Sequence, residues 1–91
     1  MNLNQLYTII LDRKQNPPEG SYSASLFAKG LPGIAQKVGE EGTEVVVAAL
    51  SQDNERLVEE IADLAYHVLV LMAAKGITPA DVAGELEKRH R

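Results

Sequence analysis

The chain has 91 residues, no cysteine and a formal net charge of −4 at pH 7, and 45% of its residues are hydrophobic while only 4% are aromatic. This length fits one domain with a marginal core, and the lack of cysteine excludes disulfides and thiolate metal sites, as is usual for proteins of a reducing cytoplasm. The acidic balance argues against general nucleic-acid binding, which rewards a basic surface.

The N-terminal residues lack the basic segment followed by an apolar segment that marks a signal peptide. The longest apolar run, residues 61–74, contains Asp63 and His67. It is also shorter than the roughly 20 residues that a membrane span needs. We therefore expect a soluble, cytoplasmic protein that does not enter a membrane.

The first third of the chain predicts one helix and a long loop. Apolar residues recur at helical spacing from Leu3 to Ile10, which predicts a helix that stops before Pro17. Residues 17–33 are rich in glycine, proline and serine. Such a composition predicts a loop, in which residues 24–28 could form one helical turn.

Three further helices are predicted in the rest of the chain. Residues 34–50 and 54–75 form two long helices around a short connection, and helices joined this briefly lie antiparallel. The last helix begins at Thr78, a capping residue that is followed by proline. With no strand pattern or internal repeat, the sequence predicts an all-α fold and a single domain over residues 1–91.

The two long helices each carry a stripe of acidic side chains. The stripes consist of Glu40, Glu41 and Glu44 on the first helix and Glu60 and Asp63 on the second, where His67 follows. In an antiparallel hairpin that turns at Gln52, Glu44 lies level with Glu60, and Glu41 lies level with Asp63. Because a helix rises about 1.5 Å per residue, these two layers are roughly 4.5 Å apart, and four carboxylates could converge.

Converging carboxylates in a poorly solvated site repel one another by several kcal/mol. A divalent cation with oxygen ligands would compensate this repulsion, and Mg²⁺ is favoured where phosphates complete its coordination. The alternative is that each stripe is only the solvated face of an amphipathic helix. The level pairing of the two stripes favours the cation.

At these residues the chain resembles a known family. The pair Glu41-x-x-Glu44 followed by Glu60-x-x-Asp63 resembles the ExxE and ExxD signature of the all-α nucleoside triphosphate pyrophosphohydrolases, the MazG-like superfamily. Four segments are similar, in order and spacing, to the phosphoribosyl-ATP pyrophosphohydrolase family. They are GSYSASLFAKG (20–30), IAQKVGEEGTEVV (34–46), ERLVEEIADLAYHVLVLMAAKG (55–76) and LEKRH (86–90).

This resemblance covers nearly the whole chain and implies an activity. The family hydrolyses phosphoribosyl-ATP to phosphoribosyl-AMP and pyrophosphate, the second step of L-histidine biosynthesis. By the same resemblance Glu41, Glu44, Glu60 and Asp63 would be the Mg²⁺ ligands and the centre of catalysis. Glu40 joins them as a catalytic candidate that could bind through water, orient the attacking water or simply be solvated.

The candidate substrate-binding residues are Gly20, Ser21, Tyr22, Lys29 and Lys37. The first three offer N–H groups, a hydroxyl and a ring for stacking, although most segments of this composition only connect helices. Lys37 could reach a phosphate or pair with Glu41 one turn later. His67, one turn beyond Asp63, is expected to support a ligand rather than to be one.

The second long helix is apolar around most of its circumference, which predicts an interface with another chain. We expect a homodimer in which the central hairpins pair as a four-helix bundle, and the resemblance implies the same arrangement. No residues remain for a cyclohydrolase domain, so a separate cyclohydrolase would act downstream. Two other functions stay open: a house-cleaning nucleoside triphosphate pyrophosphohydrolase, which needs no GSY segment, and a non-catalytic helical dimerisation module.

Overall fold

The computed structural model describes residues 1–90, which form five α-helices and contain no strand. The helices are α1 (Leu3–Gln15), α2 (Tyr22–Lys29), α3 (Leu31–Ser51), α4 (Asn54–Lys75) and α5 (Pro79–Arg89). The prediction of an all-α fold is therefore confirmed. No helix within the described range is long and apolar enough to cross a membrane.

The segment predicted as a loop is the part of the fold that the sequence analysis got wrong. Ser21 caps the helix α2, because its hydroxyl accepts a hydrogen bond from the backbone N–H of Ala24 at 3.2 Å. Gly30 ends this helix with a φ of 82°, a conformation that favours glycine. The next helix, α3, begins at Leu31 rather than Ile34, since Pro32 lies in the first turn, where no N–H donor is needed.

The helices α3 and α4 form the predicted antiparallel hairpin. Their connection is short, and the side chain of Asp53 caps α4 by accepting a hydrogen bond from the N–H of Arg56 at 2.9 Å. The antiparallel direction is evident where acidic side chains of α3 meet those of α4 that are equally far from the turn. This hairpin is the frame on which the candidate site is built.

The hydrophobic core lies where α1 and α2 pack against the hairpin. Its largest fully buried side chains are Ile10 in α1, Leu26 in α2 and Val70 in α4, and α3 adds the buried Ile34. Among the described residues, α5 packs only against α1, and none of its side chains is buried. The core therefore fixes α2 over the hairpin and leaves α5 at the periphery.

The end of α4 depends on a glycine. Gly76 has a φ of 72° and a ψ of 22°, in the left-handed region. Its N–H donates to the carbonyl of Ala73 at 3.3 Å, and the N–H of Ile77 donates to the carbonyl of Met72 at 2.9 Å. These bonds satisfy carbonyl groups that the helix end would leave free and turn the chain towards α5.

Replacing Gly76 by alanine should lower the free energy of unfolding by about 1–2 kcal/mol, since a Cβ atom is unfavourable in the left-handed conformation. The added Cβ would meet no atom of the described chain within 4 Å, so the cost comes from the backbone conformation. Urea denaturation of the purified variant measures this loss.

The matched control is Gly84→Ala in the interior of α5, where the added Cβ also meets nothing within 4 Å in the described structure. Alanine at that position should raise the free energy of unfolding by about 0.5–1 kcal/mol, because glycine is a poor helix former. Equal stabilities of the two variants would contradict the role assigned to Gly76.

Candidate active site

Four carboxylates meet between the two helices of the hairpin. They belong to Glu41 and Glu44 of α3 and to Glu60 and Asp63 of α4, and one oxygen from each lies within 4.8 Å of the others. The structure thus brings together the side chains that the sequence pattern placed at the same levels. We refer to these four residues as the acidic quartet.

Two members of the quartet are buried, with Glu41 only 4% and Glu60 only 9% exposed. Each has one oxygen, Oε2, that is buried and has no hydrogen-bond partner within residues 1–90. Leaving such an acceptor unsatisfied costs about 1–3 kcal/mol, and more when the group is charged. The buried oxygens therefore favour a bound cation and argue against a merely solvated acidic face.

The other oxygen of each buried carboxylate is paired with a basic residue one turn earlier on the same helix. Lys37 Nζ donates to Glu41 Oε1 at 3.3 Å, and Arg56 Nη2 donates to Glu60 Oε1 at 2.9 Å. In both pairs Oε1 is bound to the basic group and Oε2 is left over. The two helices thus present their buried carboxylates in the same way.

Lys37 also approaches the neighbouring Glu40, with Nζ 3.8 Å from Oε2. The hydrogen bond to Glu41 is the largest of the effects that raise the pKa of Lys37, so this side chain stays positively charged. The pairing with Glu41 that the sequence left as an alternative is thus present. Because the side chain is 31% exposed, its ammonium group still faces solvent and is open to a phosphate.

One carboxyl group of the quartet, that of Asp63, has a perturbed pKa. Burial and the neighbouring carboxylate of Glu41 raise the pKa of Asp63, although His67 and Lys37 oppose the shift. A raised pKa means that the folded protein resists ionising this fourth carboxyl group. A donor set of four carboxylates is the kind that hard cations such as Mg²⁺ prefer.

His67 offers no free ligand atom, because both of its ring nitrogens form hydrogen bonds with neighbouring groups of the site. Its Nδ1 lies 2.7 Å from the backbone carbonyl of Asp63, and its Nε2 lies 2.9 Å from the hydroxyl of Tyr22. Since a carbonyl can only accept, Nδ1 carries a proton and donates it to Asp63, while Nε2 is bonded to the Tyr22 hydroxyl. Both nitrogens of this 3% exposed ring are thus engaged in positioning its neighbours.

Glu40 is the one acidic candidate that the structure does not bring to the quartet. Its carboxylate accepts a hydrogen bond from Gln36 Nε2 at 3.0 Å and is half exposed. Successive residues of a helix point about 100° apart, so Glu40 cannot share the direction of Glu41. Glu40 instead lines a pocket of about 240 Å³ that also contains Lys29 and Lys37.

Of the predicted substrate-binding residues before α3, Gly20 lies in the turn that precedes α2, Ser21 caps this helix, and Tyr22 and Lys29 are its first and last residues. Gly20 has a φ of 80° and leads into the capping residue Ser21. Tyr22, the first residue of α2, is half exposed, and its ring is stacked on Tyr66 with centroids 6.0 Å apart. Burial raises the pKa of Tyr22 despite the opposing charge of Lys37, so its hydroxyl stays protonated and donates to His67.

Arg56 and Tyr66 belong to the site but were not among the site residues predicted from the sequence. Arg56 pairs with the buried Glu60, and Tyr66 shares a short hydrogen bond with Ser23 of α2. The spacing of Arg56 to Glu60 equals that of Lys37 to Glu41, and this repeated spacing was the available signal. Tyr66 carried no signal beyond its place beside His67.

Comparisons with known proteins bear on this site. Residues 3–90 match the family described as phosphoribosyl-ATP pyrophosphohydrolase. The chain is 58% identical over 87 residues to a phosphoribosyl-ATP pyrophosphatase of Sulfurisphaera tokodaii, an alignment that covers 96% of this chain and 93% of the relative. It is 52% identical over 89 residues to the protein of that name in Saccharolobus solfataricus, covering 98% and 95%. A relative from Sulfolobus acidocaldarius is 52% identical over 87 residues, covering 96% and 92%.

The raised pKa of Asp63 predicts a pH dependence of stability in the metal-free protein. Its folded pKa exceeds its unfolded pKa, so its contribution to stability is fully present below the unfolded value and is lost as pH rises through the folded value. Asp63→Asn should remove this loss. Thermal melts of both proteins in chelator between pH 3 and 8 should therefore show a smaller decline for the variant.

Asp81→Asn is the control of opposite sign. Hydrogen bonds with Thr78 lower the pKa of Asp81, so its contribution is present above the unfolded pKa and is lost as pH falls through the folded value. This variant should lose stability at neutral pH rather than gain it. Parallel pH profiles for wild type and Asp63→Asn would contradict the raised pKa of Asp63.

Proposed function

The chain belongs to the phosphoribosyl-ATP pyrophosphohydrolase family, and on this premise we propose that it hydrolyses phosphoribosyl-ATP to phosphoribosyl-AMP and pyrophosphate, a step of histidine biosynthesis. The acidic quartet, with two buried carboxylate oxygens left unpaired, is the observation that carries this proposal. A non-catalytic dimerisation module would not need buried carboxylates of this kind. The shared name of the relatives favours this substrate over the triphosphates of a house-cleaning enzyme.

We propose that Glu41, Glu44, Glu60 and Asp63 hold Mg²⁺. Their oxygen atoms are close enough to share one ion, and their convergent charge favours a divalent cation. When bound, the cation neutralises charge on the phosphates and makes the scissile phosphorus more open to attack. The pairs of Lys37 with Glu41 and of Arg56 with Glu60 hold two of the proposed ligands, both buried carboxylates, in fixed orientations.

The reaction forms a bond from a water oxygen to the α-phosphorus and breaks the bond from that phosphorus to the bridging oxygen, which leaves with pyrophosphate. The chain's own residues then have to bind the substrate, orient the attacking water and accept the proton that the water loses. Glu40 is our candidate for orienting the water, because its carboxylate is outside the converging four but shares the Lys37 ammonium group with Glu41, at 3.8 and 3.3 Å. Lys29 and Lys37 share the pocket beside it and suit the substrate's negative charge.

Gly20, Ser21 and Tyr22 lie at the start of α2, where Tyr22 is near Lys37 of this pocket. The hydrogen bond of Tyr22 to His67 ties α2 to α4, and the exposed half of the tyrosine ring is available for stacking. The adenine base or a ribose of the substrate would lie against it. In this proposal the segment recognises the nucleoside half of the substrate and takes no part in the bond cleavage.

We also propose that the functional unit is a homodimer. The single chain exposes 6284 Å², whereas compact monomers of this mass expose about 5,200 Å². An apolar groove of about 480 Å³ runs between α4, α5 and the start of α1. Groove residues such as Ile61 (49% exposed) and Leu86 (65% exposed) would be covered by the hairpin of a second copy in a four-helix bundle.

Glu44→Gln and Asp63→Asn should each lower kcat by about 100-fold or more, because each removes a charged ligand from the proposed Mg²⁺ site. Helix content should stay at the wild-type level, since removing one carboxylate relieves repulsion. Pyrophosphate release from phosphoribosyl-ATP with Mg²⁺ measures the first effect and circular dichroism the second. Glu85→Gln, an exposed acid on α5, is the control that should keep full activity, and near-normal turnover in either quartet variant would refute the ligand assignment.

Ile61→Glu should yield a monomer with little hydrolysis, because a charge in the apolar groove opposes its burial against a second chain. Light scattering gives the mass, and the pyrophosphate assay gives the activity. Ile9→Glu, on α1 and 38% exposed, is a control of the same chemistry outside the groove lining. A wild-type protein that is a well-folded, fully active monomer would refute the dimer.

A further inference from the structure

Two pockets, each with a basic side chain, flank the acidic quartet along the hairpin. One lies beside α2 and contains Lys29 and Lys37. The other, of about 290 Å³, lies at the turn of the hairpin and contains Arg56 together with Gln52 and two quartet members. A substrate whose scissile phosphate sits at the quartet has room to extend into both pockets.

Arg56 has the means to contact an anion in the pocket at the turn. Two of its five N–H donors are used, one by Glu59 and one by Glu60. The side chain is 52% exposed, so its remaining donors face solvent. A guanidinium group can offer two parallel hydrogen bonds to a phosphate, which an ammonium group cannot.

The two pockets differ in what else they offer. Tyr22 and Tyr66 lie at the end of the site nearest α2, where the positive charge of Lys37 acts on Tyr22. Neither pocket has an aromatic ring in its described lining, but Tyr22 lies near Lys37, which lines the pocket beside α2, whereas no aromatic ring is found near Arg56 among the described stacking pairs. A nucleobase gains from stacking on a ring, whereas a pyrophosphoryl group needs charge and hydrogen bonds. The nucleoside half therefore fits the end near α2.

We propose that Arg56 binds the β- and γ-phosphates of the substrate, and the pyrophosphate product, in the pocket at the hairpin turn. This inference rests on the proposed function and adds an orientation of the substrate along the hairpin. Glu44 and Glu60 line the same pocket, so an anion enters it only when a cation compensates their charge. Pyrophosphate binding should accordingly require Mg²⁺.

Product inhibition tests this orientation, because the two products occupy opposite ends of the site. In the Mg²⁺-dependent hydrolysis assay, Arg56→Gln should weaken inhibition by pyrophosphate about tenfold, the effect of losing charge-assisted hydrogen bonds. Inhibition by phosphoribosyl-AMP should stay unchanged. Arg56→Lys keeps the charge without the planar fork and should weaken pyrophosphate inhibition selectively but less.

Arg89→Gln is the matched control, since Arg89 also forms an exposed pair with a glutamate, Glu85, on α5. It should leave inhibition by both products as in the wild type. If inhibition by both products weakens equally in the Arg56 variants, Arg56 only positions Glu60, and the proposal is overturned. Unchanged inhibition by pyrophosphate would also overturn it. Selective weakening for phosphoribosyl-AMP would overturn the orientation.

A failure of the proposed function would look different, because the wild type would then release no pyrophosphate from phosphoribosyl-ATP. Calorimetric titration of wild type and Arg56→Gln with pyrophosphate and Mg²⁺ tests the Arg56 contact without turnover. Weaker binding by the variant supports the contact, and equal binding overturns it. The same titration without Mg²⁺ should give no binding to either protein.

Discussion

The mutual repulsion of four carboxylates across the hairpin of α3 and α4 is the constraint on which the structure depends. Packing of α1 and α2 around residues such as Ile10 and Leu26 holds the hairpin together despite this repulsion. Burial of Glu41 and Glu60 makes the repulsion stronger than it would be in water. The fold therefore maintains an arrangement that a bound cation would favour, as is common where a site is preorganised for its ligand.

The basic residues around the quartet offset part of its negative charge and orient its buried carboxylates. Lys37 and Arg56 each bind one oxygen of a buried carboxylate and leave the other oxygen directed at no protein donor within residues 1–90. An exposed pair at this spacing contributes only a few tenths of a kcal/mol to stability. Their larger role is orientation, which connects a common helical pairing pattern to the chemistry of the site.

Much of this arrangement could be predicted from the sequence because helical geometry is regular. The short connection at Gln52 fixes which residues of α3 and α4 lie level, and this was enough to pair Glu44 with Glu60 and Glu41 with Asp63. The helix α2 could not be predicted in the same way. Its capping residue Ser21 lies in a stretch rich in glycine and serine, a composition that is typical of loops.

The remaining differences between the predicted and the observed site arise from burial, which cannot be predicted from the spacing of residues. Glu40 and Glu41 look equivalent in the sequence, yet only Glu41 is buried in the quartet. Arg56 looks like an ordinary exposed partner for a glutamate until Glu60 is found to be buried. The hydrogen bond between Tyr22 and His67 spans 45 residues of sequence and depends on how α2 packs on the hairpin.

The central claim is that the quartet binds Mg²⁺, and the thermal stability of the protein with and without this ion tests it most directly. A ligand that binds only the folded state stabilises it by RT ln(1 + L/Kd), where L is the ligand concentration, and so raises the melting temperature as that concentration exceeds Kd. Millimolar Mg²⁺ should raise the melting temperature of the wild type above its value in chelator. The melting temperature of Glu41→Gln should be almost the same in both conditions. A wild type that does not respond to Mg²⁺, or a variant that responds equally, would contradict the account.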